Sequence, residues 1–152
     1  MPITHGFYVS MNEPIPVSSN NLYATVRGMR VMTREGRAFK DALSAIVAEH
    51  IAALSWKDAI DAVYVRGGHA RLYVSLHLPI RNKSYKAGAQ TKKGGLQSPY
   101  KKKDASSYLK AIEDAVAEAT GIDDSCQMRT AVEKSHSDKP WIEISYEIME
   151  GE

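Results

Sequence analysis

His69-Ala70-Arg71-Leu72-Tyr73-Val74-Ser75-Leu76-His77-Leu78 alternates without a break. Leu72, Val74, Leu76 and Leu78 fall on one side of an extended chain, and Arg71, Tyr73, Ser75 and His77 on the other. Successive side chains of a strand point to opposite faces, so a period of two predicts a strand buried on one face only. That apolar face needs an amphipathic cover, and the flanking sequence offers one on each side.

Upstream, Thr33 is a good N-cap for a helix from about Arg34 to Leu54, with Phe39, Leu43, Ile46, Val47, His50 and Leu54 at roughly helical spacing. Downstream, Asp104 caps a second helix to about Ala119, and Gly121 suits its exit. Tyr108, Ile112, Ala115, Val116 and Ala119 form its apolar stripe, which leaves Ser106, Lys110, Glu113 and Asp114 on the opposite face. Gly6 to Met11 reads as a short first strand, followed by a loop rich in Pro14, Pro16, Ser18, Ser19, Asn20 and Asn21. Met128 to Glu133 and Trp141 to Met149 read as two closing strands, with Ser135 to Pro140 as a hairpin loop between them. The expected fold is α+β, one domain over residues 1–152, with a mixed sheet packed against two main helices.

Composition narrows the class. No apolar run approaches the length of a membrane span, and no charged-then-apolar leader opens the chain, so a cytoplasmic protein with no membrane contact is expected. A single cysteine, Cys126, excludes an internal disulfide framework. The net charge of +2 conceals an asymmetry: residues 1–103 carry 16 Lys or Arg against 6 Asp or Glu, whereas 104–152 carry 4 against 12. Segregation of sign suggests an electropositive binding face beside an acidic cluster.

The cations concentrate between Arg81 and Lys103, where Arg81, Lys83, Lys86, Lys92, Lys93, Lys101, Lys102 and Lys103 occur without an acid. Gly88, Gly94, Gly95 and Pro99 mark the segment as a long flexible loop. Such loops are uncommon inside compact domains and are either functional or solvated insertions. The functional form follows phosphates and stacks Tyr85 or Tyr100 on an unpaired base. His77 is either an ordinary exposed histidine or a further group that approaches the nucleic acid.

Lys101-Lys102-Lys103-Asp104-Ala105-Ser106-Ser107-Tyr108-Leu109-Lys110 then runs into Asp114 and the pair Asp123-Asp124 before Gln127. Phosphodiester chemistry needs this mixture: lysines hold the polyanion, while carboxylates hold a divalent ion that polarises the phosphate and activates water. Read alone, Lys110 and Asp114 at i, i+4 also suit a surface ion pair worth roughly 0.3 to 0.5 kcal/mol. Nothing resembles a nucleotide phosphate cradle, and no Cys or His cluster has zinc spacing.

The stretch resembles the RusA-like family of Holliday-junction resolvases. Its signature is a basic lead-in, Asp-x-Asp-Asn, a lysine three residues on, an Asp four beyond that, and Asp-Asp-x-Gln. Asp104, Lys110, Asp114 and Asp123-Asp124 match; Ser106 and Ser107 replace the second Asp and the Asn, and one extra residue precedes Gln127. Near the N-terminus, Ser19-Asn20-Asn21-Leu22-Tyr23 and Thr33-Arg34-Glu35-Gly36-Arg37-Ala38-Phe39 are similar to the family's Pro-Pro-Ser-x-Asn loop, aromatic and helix entry, with Val17-Ser18 in place of the prolines.

The resemblance implies an endonuclease that resolves branched DNA in recombination and repair, of phage or prophage type, working as a homodimer on four-way junctions. It implies catalytic Asp104, Lys110 and Asp124, and Mg²⁺, or alternatively Mn²⁺, held by Asp104, Asp124, Asp123 and Asp114. Asn20 and Asn21 join the lysines in binding DNA. Because Ser106 lacks the family's carboxylate, one alternative is a protein that binds branched DNA but cuts it weakly or not at all. In the active version, an acid among Asp114, Asp123 and Glu113 compensates. A third reading, from another class, is a small RNA-binding or ribosome-associated protein.

Overall fold

The structure, a computed structural model, describes residues 2–17, 21–101 and 105–151. Its elements are β1 (Ile3–Met11), β2 (Tyr23–Val26), β3 (Met29–Met32), α1 (Arg34–Ala52), α2 (Trp56–Tyr64), β4 (His69–Leu78), α3 (Ala105–Thr120), β5 (Gln127–His136) and β6 (Trp141–Met149). Four strands form one sheet in the order β1-β6-β4-β5. β6 runs antiparallel to β1 and β4, and β5 runs parallel to β4, so the sheet is mixed as expected.

The alternating register of β4 appears directly in its burial. Leu72, Leu76 and Leu78 have no exposed surface and Val74 almost none. They meet Ile142, Ile144 and Ile148 of β6, Phe7 and Val9 of β1, and the inward residues of the helices in one core. Parallel strands cannot be joined by a tight turn, so β4 and β5 need a crossover, and α3 provides it. Tyr108 of α3 is fully buried, packs edge-on to Phe39 of α1 with ring centroids 6.4 Å apart, and donates its hydroxyl to Pro16 O. Burial pushes the Tyr108 phenol up to about 12.

The polar face of the sheet has its own order. His77 stacks flat on Trp141, with centroids 3.8 Å apart and rings 6° from parallel. Its Nε2 lies 2.7 Å from Glu143 Oε2 and its Nδ1 2.7 Å from Ser135 Oγ. Tyr8 donates to the other oxygen of Glu143, and this bond, followed by that from His77, holds the Glu143 carboxyl below its ordinary range. His77 is therefore a half-buried member of the sheet face rather than an ordinary exposed histidine.

Two expectations are corrected. β5 and β6 do not form a hairpin, because β4 lies between them. The connection passes the end of β4, where Ser137 N donates to Leu78 O at 2.9 Å. It spans two strand spacings, roughly 10 Å, which four extended residues can cover. Alternation shows that a segment is a strand but not which strand lies beside it. In addition, α1 ends at Ala52 and its buried stripe is Phe39, Leu43, Val47 and Ile51, leaving His50 and Leu54 exposed.

Two elements were not foreseen. α2 is tied to the end of α3 by Trp56, whose Nε1 donates to Thr120 O at 2.9 Å. β2 and β3 form a separate two-stranded ribbon whose turn is Arg27-Gly28, with φ of 52° and 76°. Two consecutive positive φ values match the twist of antiparallel strands, but Arg-Gly lacks the asparagine or aspartate that usually signals such a turn. The ribbon is rooted on α1: Thr33 N donates to Leu22 O at 2.9 Å, and Thr33 Oγ1 accepts from Gly36 N at 2.9 Å as the helix cap.

Candidate active-site cleft and basic arm

Gly121, at φ 73°, ends α3 by donating its N–H to Ala117 O at 3.0 Å. The buried Ile122 then anchors the chain, and Asp123 N is held by the Tyr64 hydroxyl at 2.9 Å. Asp123 caps a short 3-10 turn, Asp124–Cys126, and accepts from both Ser125 N and Ser125 Oγ. These hydrogen bonds hold its carboxyl below the ordinary range, with the Ser125 hydroxyl contributing most. The turn brings Asp123 and Asp124 back beside Asp114 on α3.

Asp114, Asp123 and Asp124 line one open cleft of about 490 Å³ together with Met32, Arg37, Lys40 and Ala117. The start of α1, the middle of α3 and the turn after it each form a wall. Lys40 bridges two walls through an ion pair with Glu118 at 2.6 Å. Glu113, half-buried on the adjoining face, accepts from Gln127 Nε2 at 2.7 Å. Burial raises the Glu113 carboxyl above its usual range; the Gln127 hydrogen bond opposes this, and the charges of Asp124 and Asp114 add to the rise, while Lys110 lowers it. Lys110 itself is exposed.

The raised Glu113 value has a consequence for stability. An acid whose folded-state pKa lies above its unfolded value favours the fold while protonated, and that contribution is lost as pH rises through the folded pKa. Glu113→Gln is therefore expected to raise the melting temperature at neutral pH. The gain should vanish below about pH 4, where the carboxyl is protonated in either state. Thermal melts of both proteins across pH check this.

Outside the lining of this cleft, Arg30 Nη2 donates to Ser107 Oγ at 3.0 Å, and its guanidinium lies 5.0 Å from the centroid of the Tyr23 ring. The Tyr23 hydroxyl is buried and has no hydrogen-bond partner among the described residues. Burial raises its pKa, and the charge of Asp114 adds to the rise.

Asn20, Lys102, Lys103 and Asp104 lie outside the described residues, and so does the expected pairing of Asp104 with Asp124. Asn21 is exposed and lines a shallow hollow with Thr33, Arg34 and Glu35 at the start of α1. Ser106 is exposed at the start of α3. Among the described residues no three His, Cys, Asp or Glu side chains form a ready set of metal ligands. The donor chemistry nevertheless fits a hard cation: it is all carboxylate oxygen, it is mutually repulsive, and Mg²⁺ needs only one or two carboxylates besides water and phosphate oxygens.

The lysine-rich segment is more regular than its composition suggests. Arg81 pairs with Tyr100, Asn82 N donates to Pro99 O at 2.8 Å, and Lys101 N donates to Ile80 O at 2.6 Å. Farther out, Gln97 N donates to Ala89 O and Thr91 N to Gly95 O, each at 2.7 Å. The two legs thus form a hairpin-like arm, with Lys83, Lys86, Lys92 and Lys93 exposed along it. His136 fixes its root by accepting from Ile80 N and Arg81 N through Nδ1. There Arg81, Lys101 and Lys134 line a hollow of about 550 Å³ with Tyr100, Ser135 and His136. β5 starts against Glu113 and ends at this hollow, so the acidic cleft and the basic root lie roughly 30 Å apart along the strand.

The profile of the RusA endodeoxyribonuclease family matches residues 13–147, which includes every wall of the cleft and the whole arm. The chain belongs to the RusA family. No curated protein matches it. Within this RusA chain Asp114 on α3 and Asp123 and Asp124 after it line one cleft. Sequence reading missed Arg37 and Lys40 as cleft residues, and Arg30 and Gln127 as groups that orient Ser107 and Glu113. Arg37 and Lys40 lie one helical turn apart on α1, a visible pattern, but only the packing of α1 on α3 shows what they face.

Proposed function

We propose that this RusA-family chain is a Mg²⁺-dependent, structure-selective endonuclease that resolves four-way DNA junctions in recombination and repair. The observation that carries the reading is the convergence of Asp114, Asp123 and Asp124 on one cleft, beside a Glu113 whose carboxyl is raised partly by its acidic neighbours. Asp124 and Asp114, with Asp104 and Asp123, would hold the cation, which supplies Lewis-acid polarisation of the phosphate and a water of lowered pKa. Mn²⁺ would serve the same donor set.

The chain's own groups do the rest. Lys110, exposed near Glu113, neutralises charge growing on the phosphate. Arg37 and Lys40 draw the cut strand toward the acids. Arg81, Lys83, Lys86, Lys92, Lys93 and Lys101 of the arm hold flanking phosphates together with Lys102 and Lys103, and Asn20 and Asn21 contact the strand beside α1. About six neutralised phosphates give a salt slope near −5 for log K against log salt. The same reading makes the protein a cytoplasmic homodimer of phage or prophage type, presenting two clefts to opposed strands.

One observation favours a weaker enzyme: Ser106 is exposed at the helix start, where the family places a carboxylate. A nicking assay on a synthetic four-way junction, with Mg²⁺, with Mn²⁺ and with chelator, tests the reading. Wild type is expected to nick with either ion, Asp104→Asn to be inactive, and Ser106→Asp to be faster. Tight junction binding without nicking under any ion would leave a branched-DNA-binding protein. Better binding of structured RNA at matched salt would discard the DNA reading.

A further inference from the structure

At the root of the basic arm, cations from separate parts of the chain face one hollow. Arg81 and Lys101 enter from the two legs of the arm and Lys134 from β5; with Tyr100 they line a space of about 550 Å³ in which, among the described residues, no carboxylate takes part. Lys134 and His136 lie two residues apart on β5 and so share a face, while Ser135 between them turns its hydroxyl to His77 on the other. The walls are tied by backbone. Lys101 N donates to Ile80 O at 2.6 Å, Asn82 N donates to Pro99 O at 2.8 Å, and Arg81 pairs with Tyr100. His136 is a strut of the wall, since its Nδ1 accepts from Ile80 N at 3.2 Å and from Arg81 N at 3.1 Å. Tyr100 is left 56% exposed at the mouth.

We propose that this hollow holds a nucleotide that has left the base stack, with its phosphate against Arg81, Lys101 and Lys134 and its base on the Tyr100 ring. The proposal rests on the branched-DNA reading above and names the part of the substrate that the root of the arm meets. Three cations without a lining acid select an anion, and the space is of the size that small-ligand sites have. A phosphate alone would leave the ring unused. An aromatic face beside clustered cations is the combination by which unpaired strands are bound, because every base has a face to stack. A paired duplex keeps its bases inside the stack, so its backbone meets the exposed Lys83, Lys86, Lys92 and Lys93 farther out but brings nothing to Tyr100. Tyr85, the other aromatic of the segment, sits outside this hollow. The root is also fixed before the ligand arrives, so less ordering cost is set against its contacts. Lys134 belongs to the sheet and not to the lysine-rich segment, so composition gave no sign of it.

The test uses a short single-stranded DNA carrying one 2-aminopurine, an intact duplex of the same sequence and a four-way junction. Wild type is expected to bind the single strand and quench the 2-aminopurine by stacking it on Tyr100. Tyr100→Ala should bind the single strand about 10-fold more weakly, the scale of losing one stacked base, and should not quench. Its preference for single strand over duplex falls accordingly. Tyr100→Phe, which keeps the ring, should behave as wild type. Lys134→Gln should bind more weakly and make the slope of log K against log salt shallower by about 0.7, one phosphate of a single strand. The Arg81–Tyr100 pairing is made by backbone, so these substitutions leave the arm closed, and thermal melts check that each variant is folded. Wild-type affinity and quenching in Tyr100→Ala would overturn the proposal. So would displacement of the strand by inorganic phosphate as readily as by a nucleoside monophosphate, since the hollow would then take an anion alone. A wild type that binds the junction no better than duplex, yet still binds single strand through Tyr100, would remove the branched-DNA reading and leave the hollow standing.

Discussion

Replacing Asp124 by Asn lowers junction nicking by about 10² to 10³-fold while junction binding and fold stability hold. Asp124 is exposed on the 3-10 turn, and its charge is felt by Glu113. The asparagine keeps the shape and removes only the charge, which relieves repulsion in the free protein, so the melting temperature should stay level or rise slightly. What is lost is one anionic oxygen donor at the cleft. Removing a group that stabilises charge in the transition state costs about 3 to 4 kcal/mol, hence the expected factor. The variant should also respond less than wild type to added Mg²⁺ or Mn²⁺ in thermal melts, because fewer carboxylates remain to be neutralised. Single-turnover nicking at saturating junction, read beside a binding titration, separates chemistry from affinity. Near wild-type cleavage would mean that Asp124 is a surface acid and that the reaction centre lies elsewhere.

Gly36→Ala is the second large effect, and its sign runs against ordinary helix propensity. Alanine inside a helix normally stabilises by up to about 1 kcal/mol relative to glycine. Here a Cβ at position 36 would sit 2.3 Å from Leu22 O and 3.0 Å from Leu22 Cα and carbonyl carbon, all backbone atoms. The same carbonyl accepts from Thr33 N at 2.9 Å, so it cannot move away without loosening the cap of α1. Leu22 is fully buried and cannot yield outward. A loss of about 3 kcal/mol, or roughly 10 °C in melting temperature, is expected. Because Leu22 leads directly into Tyr23, the shift also displaces the ribbon from the cleft, and nicking should fall further than the unfolded fraction accounts for. A melting temperature at or above wild type would show that the ribbon root is compliant.

Much of this was legible before any coordinates, for identifiable reasons. The strict alternation of β4 and β6 and the apolar stripes of α1 and α3 are each set by one buried face, so periodicity found them. The polar face of α3 was read correctly because Lys110, Glu113 and Asp114 are simply the complement of that stripe. The β5–β6 neighbourhood was misread because β5 is an edge strand with a weak burial pattern, and strand order is a long-range property that composition does not carry. The β2–β3 ribbon escaped notice because its apolar residues sit on the exposed side and its turn is Arg-Gly. The contributions of Arg37 and Lys40 depend on α1 lying against α3, a contact between residues more than 60 positions apart in the chain.

The pairing of Arg81 with Tyr100 has an implication for how such proteins can diversify. It closes the arm where it leaves the sheet, so the span that α3 must bridge is set below that point and does not depend on what lies beyond it. Residues past the closure can therefore be shortened, lengthened or recoded in charge without re-threading the crossover or moving the carboxylates. The arm becomes a cassette, open to exchange, mounted on a sheet and crossover that stay fixed.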